Sequence, residues 1–304
     1  MPILGAHQSI AGGFHRAVER AAAVGCETVQ IFTAAPHQWP KNLPLSYQKN
    51  STKNNNQWRA KAITEAEAEQ FAAALAERKI AHPLSHSSYL INLASPDAAL
   101  RSKSVESMIV ELQRAAQLGI PYVVVHPGAH TTASLEEGLS LVAKSLDEIH
   151  AALPKTPAQI LLEITAGQGS CLGHRFEHLA EILKQTKKPE RVGICFDTCH
   201  AFAAGYDLRG AQSYKAMWCA FDDLLGIGRL KAIHLNDSKR ELGSRVDRHE
   251  HIGRGHIGAE GFRLLLRDRQ LREIPMYLET PKGDHEGETW DAINLRTLRE
   301  LAKA

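Results

Sequence analysis

Eight apolar runs of strand length recur along this 304-residue chain, and stretches with helical spacing lie between them. The runs are ILGAH (3–7), CETVQIFT (26–33), AHPLSH (81–86), YVVVHP (122–127), QILLEIT (159–165), VGICFDT (192–198), LKAIHLND (230–237) and PMYLET (275–280). Eight strands alternating with helices are typical of a parallel barrel. The sequence therefore predicts an α/β fold, a (βα)8 TIM barrel that forms a single catalytic domain over residues 1–304.

The alternative arrangement is an open, doubly wound sheet, which usually carries a glycine-rich turn directly after its first strand. Here the first run leads into GAHQSIAGG, which lacks that fingerprint. GRGHIG (253–258) does match GxGxxG, but it follows a charged loop and not a strand, which argues against a dinucleotide site. We interpret it as a flexible turn before a helix around residues 260–266, whose N-terminus could face an anion.

Composition indicates the compartment and the class of partner. The five cysteines are an odd number and are never arranged as CxxC, which argues against a disulfide framework and a four-cysteine zinc site. The N-terminal stretch has no basic region followed by an apolar core, and no run approaches the roughly 18 apolar residues of a membrane span. The net charge of +2 does not by itself demand nucleic acid. We expect a monomer in a reducing cytoplasm, without a membrane partner.

Ionisable residues stand at the ends of six of the eight runs, namely His86, His126, Glu163, Asp197, His234 and Glu279. Barrel enzymes build their sites at the C-terminal ends of their strands, so these side chains are expected to converge on one mouth. Three further candidates lie close by in sequence: His200, just after Asp197, and Asp247 with His249 in the loop after the seventh run. Five imidazoles and four carboxylates exceed what one four-coordinate zinc ion takes. The sequence therefore predicts two or three metal ions.

The ligand mixture favours zinc, because imidazole-rich sites suit zinc, with manganese or iron as competitors, whereas magnesium prefers oxygen ligands. A single histidine at a strand end is more often a hydrogen-bonded structural residue, but nine candidates at the expected places argue against nine independent structural roles. The stretch ICFDTCHAFAAGYD (194–207) also offers Cys195 and Cys199 as ligands. Thiolates there would compete with water for zinc, so we interpret both cysteines as small buried residues.

Seven longer stretches carry a resemblance to a known family: GAHQSIAGG, HSSYLINLASP, VVVHPGAH, LLEITAGQGSCLGHRFEHLA, VGICFDTCHAFAAGYDLR, HLNDSKRELGSRVDRHEHIGRGHIG and YLET. Over nearly its whole length the chain resembles the endonuclease IV family of zinc-dependent abasic-site DNA repair nucleases (AP endonuclease family 2). The resemblance implies a barrel of the xylose-isomerase-like superfamily that holds three zinc ions per chain.

The resemblance also assigns the metal ligands. It implies that His86 and His126 bind the first zinc and that Glu163 bridges it to the second. The second zinc is completed by Asp197, His234 and Glu279, and the third is bound by His200, Asp247 and His249. Glu163 and Glu279 are the residues we expect to be catalytic.

The implied reaction is hydrolysis of the phosphodiester 5′ to an abasic site in duplex DNA. It would leave a 3′-hydroxyl and a 5′-deoxyribose phosphate, and the same chemistry would clean blocked 3′ ends. Tyr89 and Leu90 match the family's wedge residues, which fill the gap in the base stack. The other expected DNA contacts are Lys53, Asn56, Arg59, Lys239 and Arg245. Such an enzyme would work at the nucleoid.

One segment departs from the family pattern. Family members commonly run from IFT directly into a KNxxQWR stretch, which here is KNNNQWR (53–59). Residues of about 34–52 precede it as a predicted loop insertion at the site face. Asn56 stands where some members have arginine, and Arg254 stands where glutamate is frequent.

Two other functions are compatible with parts of the sequence. Metal-dependent sugar isomerases and epimerases of the same barrel superfamily use a Glu, Asp, His, Glu set, which Glu163, Asp197, His234 and Glu279 would fit. The remaining five candidates discriminate against this alternative, because a one-metal isomerase has no use for them. A catalytically silent DNA-damage binding protein would be expected to have lost ligands, and none is missing.

Overall fold

The computed structural model describes residues 1–34 and 62–303. Eight strands form the centre of this part of the chain: β1 (Leu4–His7), β2 (Thr28–Phe32), β3 (Ala81–His86), β4 (Tyr122–Val125), β5 (Gln159–Glu163), β6 (Val192–Asp197), β7 (Leu230–Leu235) and β8 (Met276–Leu278). All neighbours are parallel, and the strands close into a barrel in the order β1-β8-β7-β6-β5-β4-β3-β2. The predicted (βα)8 TIM barrel is confirmed, and each predicted apolar run contains one barrel strand.

Helices alternate with these strands. Within the described residues they are α1 (Phe14–Ala23), α2 (Glu65–Arg78), α3 (Ala98–Gln117), α4 (Leu135–Ala152), α5 (Phe176–Gln185), α6 (Thr198–Ala204), α7 (Ala211–Leu225), α8 (Gly258–Arg267) and α9 (Trp290–Lys303). Short 3-10 turns, Pro189–Arg191 and Ile227–Arg229, lead into β6 and β7. Two pairs of two-residue antiparallel strands lie in the loops after β7 and β8: Asp237–Ser238 with His249–Glu250, and Asp284–His285 with Glu288–Thr289.

Several helices begin at side chains that cap them. Thr64 and Glu67 form a reciprocal capping box at the start of α2, with hydrogen bonds of 3.2 and 2.8 Å. Caps of this kind contribute about 1 kcal/mol each. Asp197 has a second role, because it ends β6 and also caps α6 by accepting the His200 backbone N–H at 2.8 Å. This strand-to-helix turn directs both residues towards the carboxyl end of the barrel.

Side chains on the strands alternate between two apolar layers. On β4, Val123 and Val125 pack in the large core shared with the helices, whereas Val124 belongs to a separate buried cluster. That cluster contains one residue from each of six consecutive strands: Leu84, Val124, Leu161, Cys195, Ala232 and Tyr277. Because successive strand residues point to opposite faces, this cluster fills the barrel interior. The next inward position on each of these strands, two residues later, therefore opens at the carboxyl end of the barrel.

Direct contacts join neighbouring strands at the amino end of the barrel. A Cβ atom at Gly5 would clash with the Thr28 carbonyl oxygen, so only glycine allows β1 and β2 to approach this closely. Thr28 Oγ1 and Tyr277 Oη both donate hydrogen bonds to the His82 carbonyl oxygen, at 2.8 and 2.6 Å. These contacts hold β1, β2, β3 and β8 together at the amino end of the barrel.

The GRGHIG segment lies around an anion supplied by the chain itself. The buried Asp237 carboxylate accepts the backbone N–H groups of Gly255, Ile257 and Gly258 at 3.0, 2.9 and 3.2 Å. A Cβ atom at Gly255 would clash with the Ser238 carbonyl oxygen. The anion near the start of α8 is therefore a structural carboxylate, and the glycines allow the backbone to wrap around it.

Some predictions concern residues beyond this description. Most of the insertion at residues 34–52, together with Lys53, Asn56 and Arg59, lies outside the described residues. Among residues 1–34 and 62–303, no helix combines the length and apolar content that crossing a bilayer requires.

Candidate metal centre

Nine ionisable side chains converge at the carboxyl end of the barrel. Their ligand atoms fall into three groups, each with all its atoms within 4.8 Å of one another: His86, His126 and Glu163; Glu163, Asp197, His234 and Glu279; and His200, Asp247 and His249. Six of these residues stand two positions after an interior-facing strand residue, for example His126 after Val124 and Glu163 after Leu161. The residues that the sequence placed at strand ends are thus brought to one mouth by the alternation of the strands.

Glu163 lies at the middle of the centre and is completely buried. Its Oε2 atom is 3.2 Å from His86 Nε2 and 3.1 Å from His126 Nε2. Its Oε1 atom is 2.9 Å from His234 Nδ1 and 3.3 Å from His200 Nδ1. One carboxylate therefore faces four imidazoles from four different elements, which is the geometry of a bridging ligand.

The second group surrounds His234 Nδ1. This atom lies 3.3 Å from Glu279 Oε2 and 3.8 Å from Asp197 Oδ2, in addition to its contact with Glu163. Asp197 and His234 are fully buried, whereas the Glu279 side chain is 15% exposed. The group thus combines three carboxylates with one imidazole and opens to the mouth on the Glu279 side.

The third group brings α6 together with the loop after β7. His200 Nε2 is 3.2 Å from Asp247 Oδ2, and His249 Nε2 is 3.3 Å from Asp247 Oδ1. The two Nε2 atoms lie 3.5 Å apart and point at the same space. The Asp247 side chain is 42% exposed, so this group is the most open of the three on the solvent side.

Backbone carbonyl oxygens fix the ring orientations. His86 Nδ1 lies 2.8 Å from the Ser87 oxygen, His200 Nδ1 lies 2.9 Å from the Ile164 oxygen, and His249 Nδ1 lies 3.2 Å from the Glu279 oxygen. A carbonyl oxygen can only accept, so each Nδ1 carries the proton and each Nε2 presents a lone pair to the centre. Such contacts orient metal-binding histidines and set their tautomer.

The pKa values of the ligand side chains, considered without metal ions, show that the centre requires positive charge. Burial raises the pKa of Glu163, but the His234 and His126 imidazoles outweigh this effect and hold the pKa well below its ordinary value of 4.5. Burial also raises the pKa of Glu279, and His234 outweighs it to hold the pKa at about 2. Both glutamates are therefore ionised at neutral pH and need positive charge beside them.

The imidazoles supply that charge when no cation does. Burial lowers the pKa of His200, but Asp197 and Asp247 outweigh it and raise the pKa well above 6.5. Bound divalent cations would supply the same charge and leave the imidazoles neutral, the form in which they act as ligands. The set of nitrogen and oxygen donors at this spacing fits zinc.

The two cysteines of ICFDTCHAFAAGYD also lie within reach of the centre. Burial raises the pKa of Cys195 and of Cys199 to about 12, so both side chains stay protonated. Cys195 packs inside the barrel, and the Cys199 thiol donates to the Arg248 carbonyl oxygen at 3.6 Å. Their contacts are those of buried packing residues.

The predicted DNA-contacting residues within the described part of the chain lie around the mouth. Tyr89 is 55% exposed, with its ring centroid 5.6 Å from that of His86, and Leu90 beside it is half-buried. Lys239 and Arg245 are exposed in the loop after β7, with Lys239 Nζ 3.8 Å from Glu250. Arg254 follows the same loop, and its guanidinium lies over the Trp290 ring at 4.5 Å.

Two cavities flank His126. One, of about 210 Å³, lies between His126 and Tyr89, and the other, of about 350 Å³, lies between His126, His200 and Asp247. Both open at the carboxyl end of the barrel and share Thr165 and Cys171 in their walls. The metal-ligand groups therefore have accessible space beside them.

Sequence reasoning missed two buried polar residues that hold the ligands in place. Asn236 donates to Asp197 Oδ2 at 2.6 Å and accepts the Glu279 backbone N–H at 2.9 Å. Gln30 contacts both His234 and Glu279. A signal was present in each case, because Gln30 interrupts an apolar strand and Asn236 directly follows one.

Comparison with known proteins agrees with this geometry. A family model described as "Xylose isomerase-like TIM barrel" matches residues 18–301. A protein from Citrifermentans bemidjiense named probable endonuclease 4 is 44% identical over 303 residues, covering 100% of both chains. The crystal structure of endonuclease IV from Thermus thermophilus superimposes with a TM-score of 0.81 at 37% identity, covering 99% of each chain. A D-tagatose 3-epimerase-like protein, at 20% identity and a TM-score of 0.67, shares the fold. The family predicted from the motifs is confirmed, and the chain belongs to the endonuclease IV family.

Proposed function

We propose that this protein is a zinc-dependent endonuclease that hydrolyses the phosphodiester 5′ to an abasic site in duplex DNA. The products would be a 3′-hydroxyl and a 5′-deoxyribose phosphate, and blocked 3′ ends would be cleaned by the same reaction. The observation that carries this proposal is the convergence of nine ligand side chains at one barrel mouth, in three groups of which two share Glu163. Membership of the endonuclease IV family supports the reaction class.

Three zinc ions per chain fit these groups. We assign His86, His126 and Glu163 to the first zinc. Asp197, His234 and Glu279 would hold the second, to which Glu163 forms the bridge. The third zinc would be bound by His200, Asp247 and His249. Zinc bound there would polarise phosphoryl oxygens and lower the pKa of a coordinated water molecule from 15.7 to about 7. The protein contributes by holding its carboxylates ionised and its imidazoles in fixed tautomers.

The chain's own side chains would position the substrate. Glu163 and Glu279 keep negative charge at neutral pH, so they would hold the cations and would not need to exchange protons themselves. The cavities on both sides of His126 provide space for a sugar–phosphate turned out of the duplex. The buried carboxylates, with the cations they would hold, would then lie beside the scissile bond.

Recognition of an abasic site depends on shape, because no base is present to be read. A missing base lowers the cost of unstacking a nucleotide, which is about a few kcal/mol for an intact pair. Tyr89 is exposed at the mouth and is backed by the Phe32 and His86 rings, at 5.4 and 5.6 Å. We assign Tyr89, with Leu90, to the gap in the stack, and the cations Lys239 and Arg245 to the phosphate backbone.

The ligand groups argue against a sugar isomerase. Such an enzyme would need only the group formed by Glu163, Asp197, His234 and Glu279. The first and third groups would then place His86, His126, His200, Asp247 and His249 at the mouth without a role. An intact set of nine ligands likewise argues against a DNA-binding protein that has lost its chemistry.

The test couples metal analysis to a nicking assay. The purified protein is expected to carry close to three zinc ions per chain and to nick a duplex with a single abasic site on its 5′ side. The matched substrate is the same duplex with an intact base, which should stay uncut. Fewer than two metal ions per chain together with an uncut abasic strand would refute the proposal. A chain that binds three zincs but leaves the strand intact would support the silent-binder alternative.

A further inference from the structure

Gln30 on β2 occupies the gap between two ligands of one metal group. It is completely buried, and its Cα is paired with that of His7 on β1. Its Oε1 atom lies 2.7 Å from His234 Nε2, and its Nε2 atom lies 2.5 Å from Glu279 Oε1 and 3.0 Å from His7 Nδ1. One amide therefore satisfies both of its N–H donors and its oxygen on β1, on β7 and on the residue that follows β8.

The partners leave one orientation for this amide. Gln30 Nε2 lies 2.5 Å from Glu279 Oε1, and a carboxylate oxygen accepts, so the Gln30 NH₂ group must face Glu279. Burial lowers the pKa of His7 to about 3, so the His7 ring is neutral and can accept the second N–H through Nδ1. The Gln30 oxygen is then directed at His234 Nε2, which must carry the proton.

This arrangement decides which nitrogen of His234 can bind a cation. With the proton held on Nε2 by Gln30, the lone pair lies on Nδ1, the atom that faces Glu163, Glu279 and Asp197. His86, His200 and His249 have their tautomers set by backbone carbonyl oxygens, whereas the tautomer of His234 is set by the Gln30 side chain. Gln30 also holds the Glu279 carboxylate, a second ligand of the same group.

We propose that Gln30 is a positioning residue that selects the Nδ1-binding tautomer of His234 and fixes Glu279, and so controls metal occupancy of the Glu163–Asp197–His234–Glu279 group. The inference rests on the proposed zinc centre and adds a site-selective control to it. Residues that orient metal ligands typically contribute about 10- to 100-fold in metal affinity. The ligands that Gln30 hydrogen-bonds, His234 and Glu279, both belong to this group, so the other two groups should keep their affinity.

The test uses Gln30→Met, which keeps the side-chain length but removes all three hydrogen bonds. The matched control is Thr28→Val, because Thr28 is equally buried on the same strand but donates its hydrogen bond to the His82 oxygen at the amino end of the barrel. The zinc content is measured after dialysis against a series of chelator concentrations. Gln30→Met is expected to lose one zinc per chain at a chelator concentration about 10- to 100-fold lower than the parent does. Thr28→Val should match the parent.

A spectroscopic readout separates positioning from general destabilisation. In cobalt-substituted protein, the visible absorption of one of three sites is expected to change in Gln30→Met, with the rest of the spectrum kept. Should that variant not fold, Gln30→Glu keeps the oxygen facing His234 but loses the N–H that holds Glu279, and the same single zinc should weaken. Parental zinc retention in a folded Gln30 variant, or equal loss of all three zincs, would overturn the inference. Absence of zinc from the parent would instead refute the proposed function.

Discussion

Replacement of Glu163 by glutamine is the sharpest test of the proposed centre. The change keeps the shape of the side chain and removes one negative charge from a completely buried position. In the described residues, Glu163 is the carboxylate of the group that contains His86 and His126, whereas the second group would keep Asp197 and Glu279. The substitution should therefore empty one site and leave the others with carboxylate ligands.

The expected loss follows from that geometry. With glutamine, the first zinc would be held by two imidazoles and at most one neutral amide oxygen. A catalytic metal supplies several kcal/mol of transition-state stabilisation. Taking about 4 kcal/mol for this ion, cleavage should fall by about a thousandfold, because each 1.36 kcal/mol is a factor of ten.

Single-turnover cleavage of abasic duplex, with zinc content measured on the same sample, checks this prediction. Glu111→Gln is the matched control, because Glu111 is also a buried glutamate, hydrogen-bonded to Thr33 at 2.6 Å, but belongs to none of the ligand groups. The control should keep three zincs and cleave within tenfold of the parent. A Glu163→Gln protein with three zincs and activity within tenfold of the parent would refute the bridging role.

Three further predictions test other parts of the site. Glu279→Gln should abolish abasic-site cleavage while the circular dichroism spectrum and thermal midpoint stay close to those of the parent, and activity within tenfold of the parent would contradict its assignment. Tyr89→Ala should weaken binding to abasic duplex by about 5- to 150-fold, since stacking on an aromatic ring contributes about 1–3 kcal/mol. An equal loss of affinity for intact duplex in the same titration would count against the role of Tyr89 as a wedge in the base stack. In chelator-treated protein, the raised pKa values of His200 and His234 should stabilise the fold below pH 6.5, and this stability should be lost as pH rises through the folded-state values. The difference in thermal midpoint between zinc-loaded and chelated protein should accordingly grow from pH 6.5 to higher pH, and a constant difference would argue against proton displacement by zinc.

The barrel and most of the mouth were predictable from the sequence because the relevant signals are local. The strand at 81–86 was predicted at its observed bounds, and the other seven runs extend beyond their strands by a few residues. The rule that parallel strands end at one face then placed His86, His126 and Glu163 together. The GxGxxG match was correctly set aside, but nothing local indicated that Asp237 would be the anion it surrounds.

The sequence by itself determined the alternation of strands and helices, and with it the fold and the residue types at the carboxyl end of the barrel. Only the tertiary structure decided how those residues are grouped: that Glu163 faces four imidazoles, that the loop carrying Asp247 and His249 meets α6, and that Gln30 joins His234 to Glu279. The physical reason is that periodicity tells which face of a strand a residue occupies, whereas its neighbours across the barrel depend on closure and stagger of all eight strands. Contacts of 3 Å between residues far apart in sequence are set by that closure.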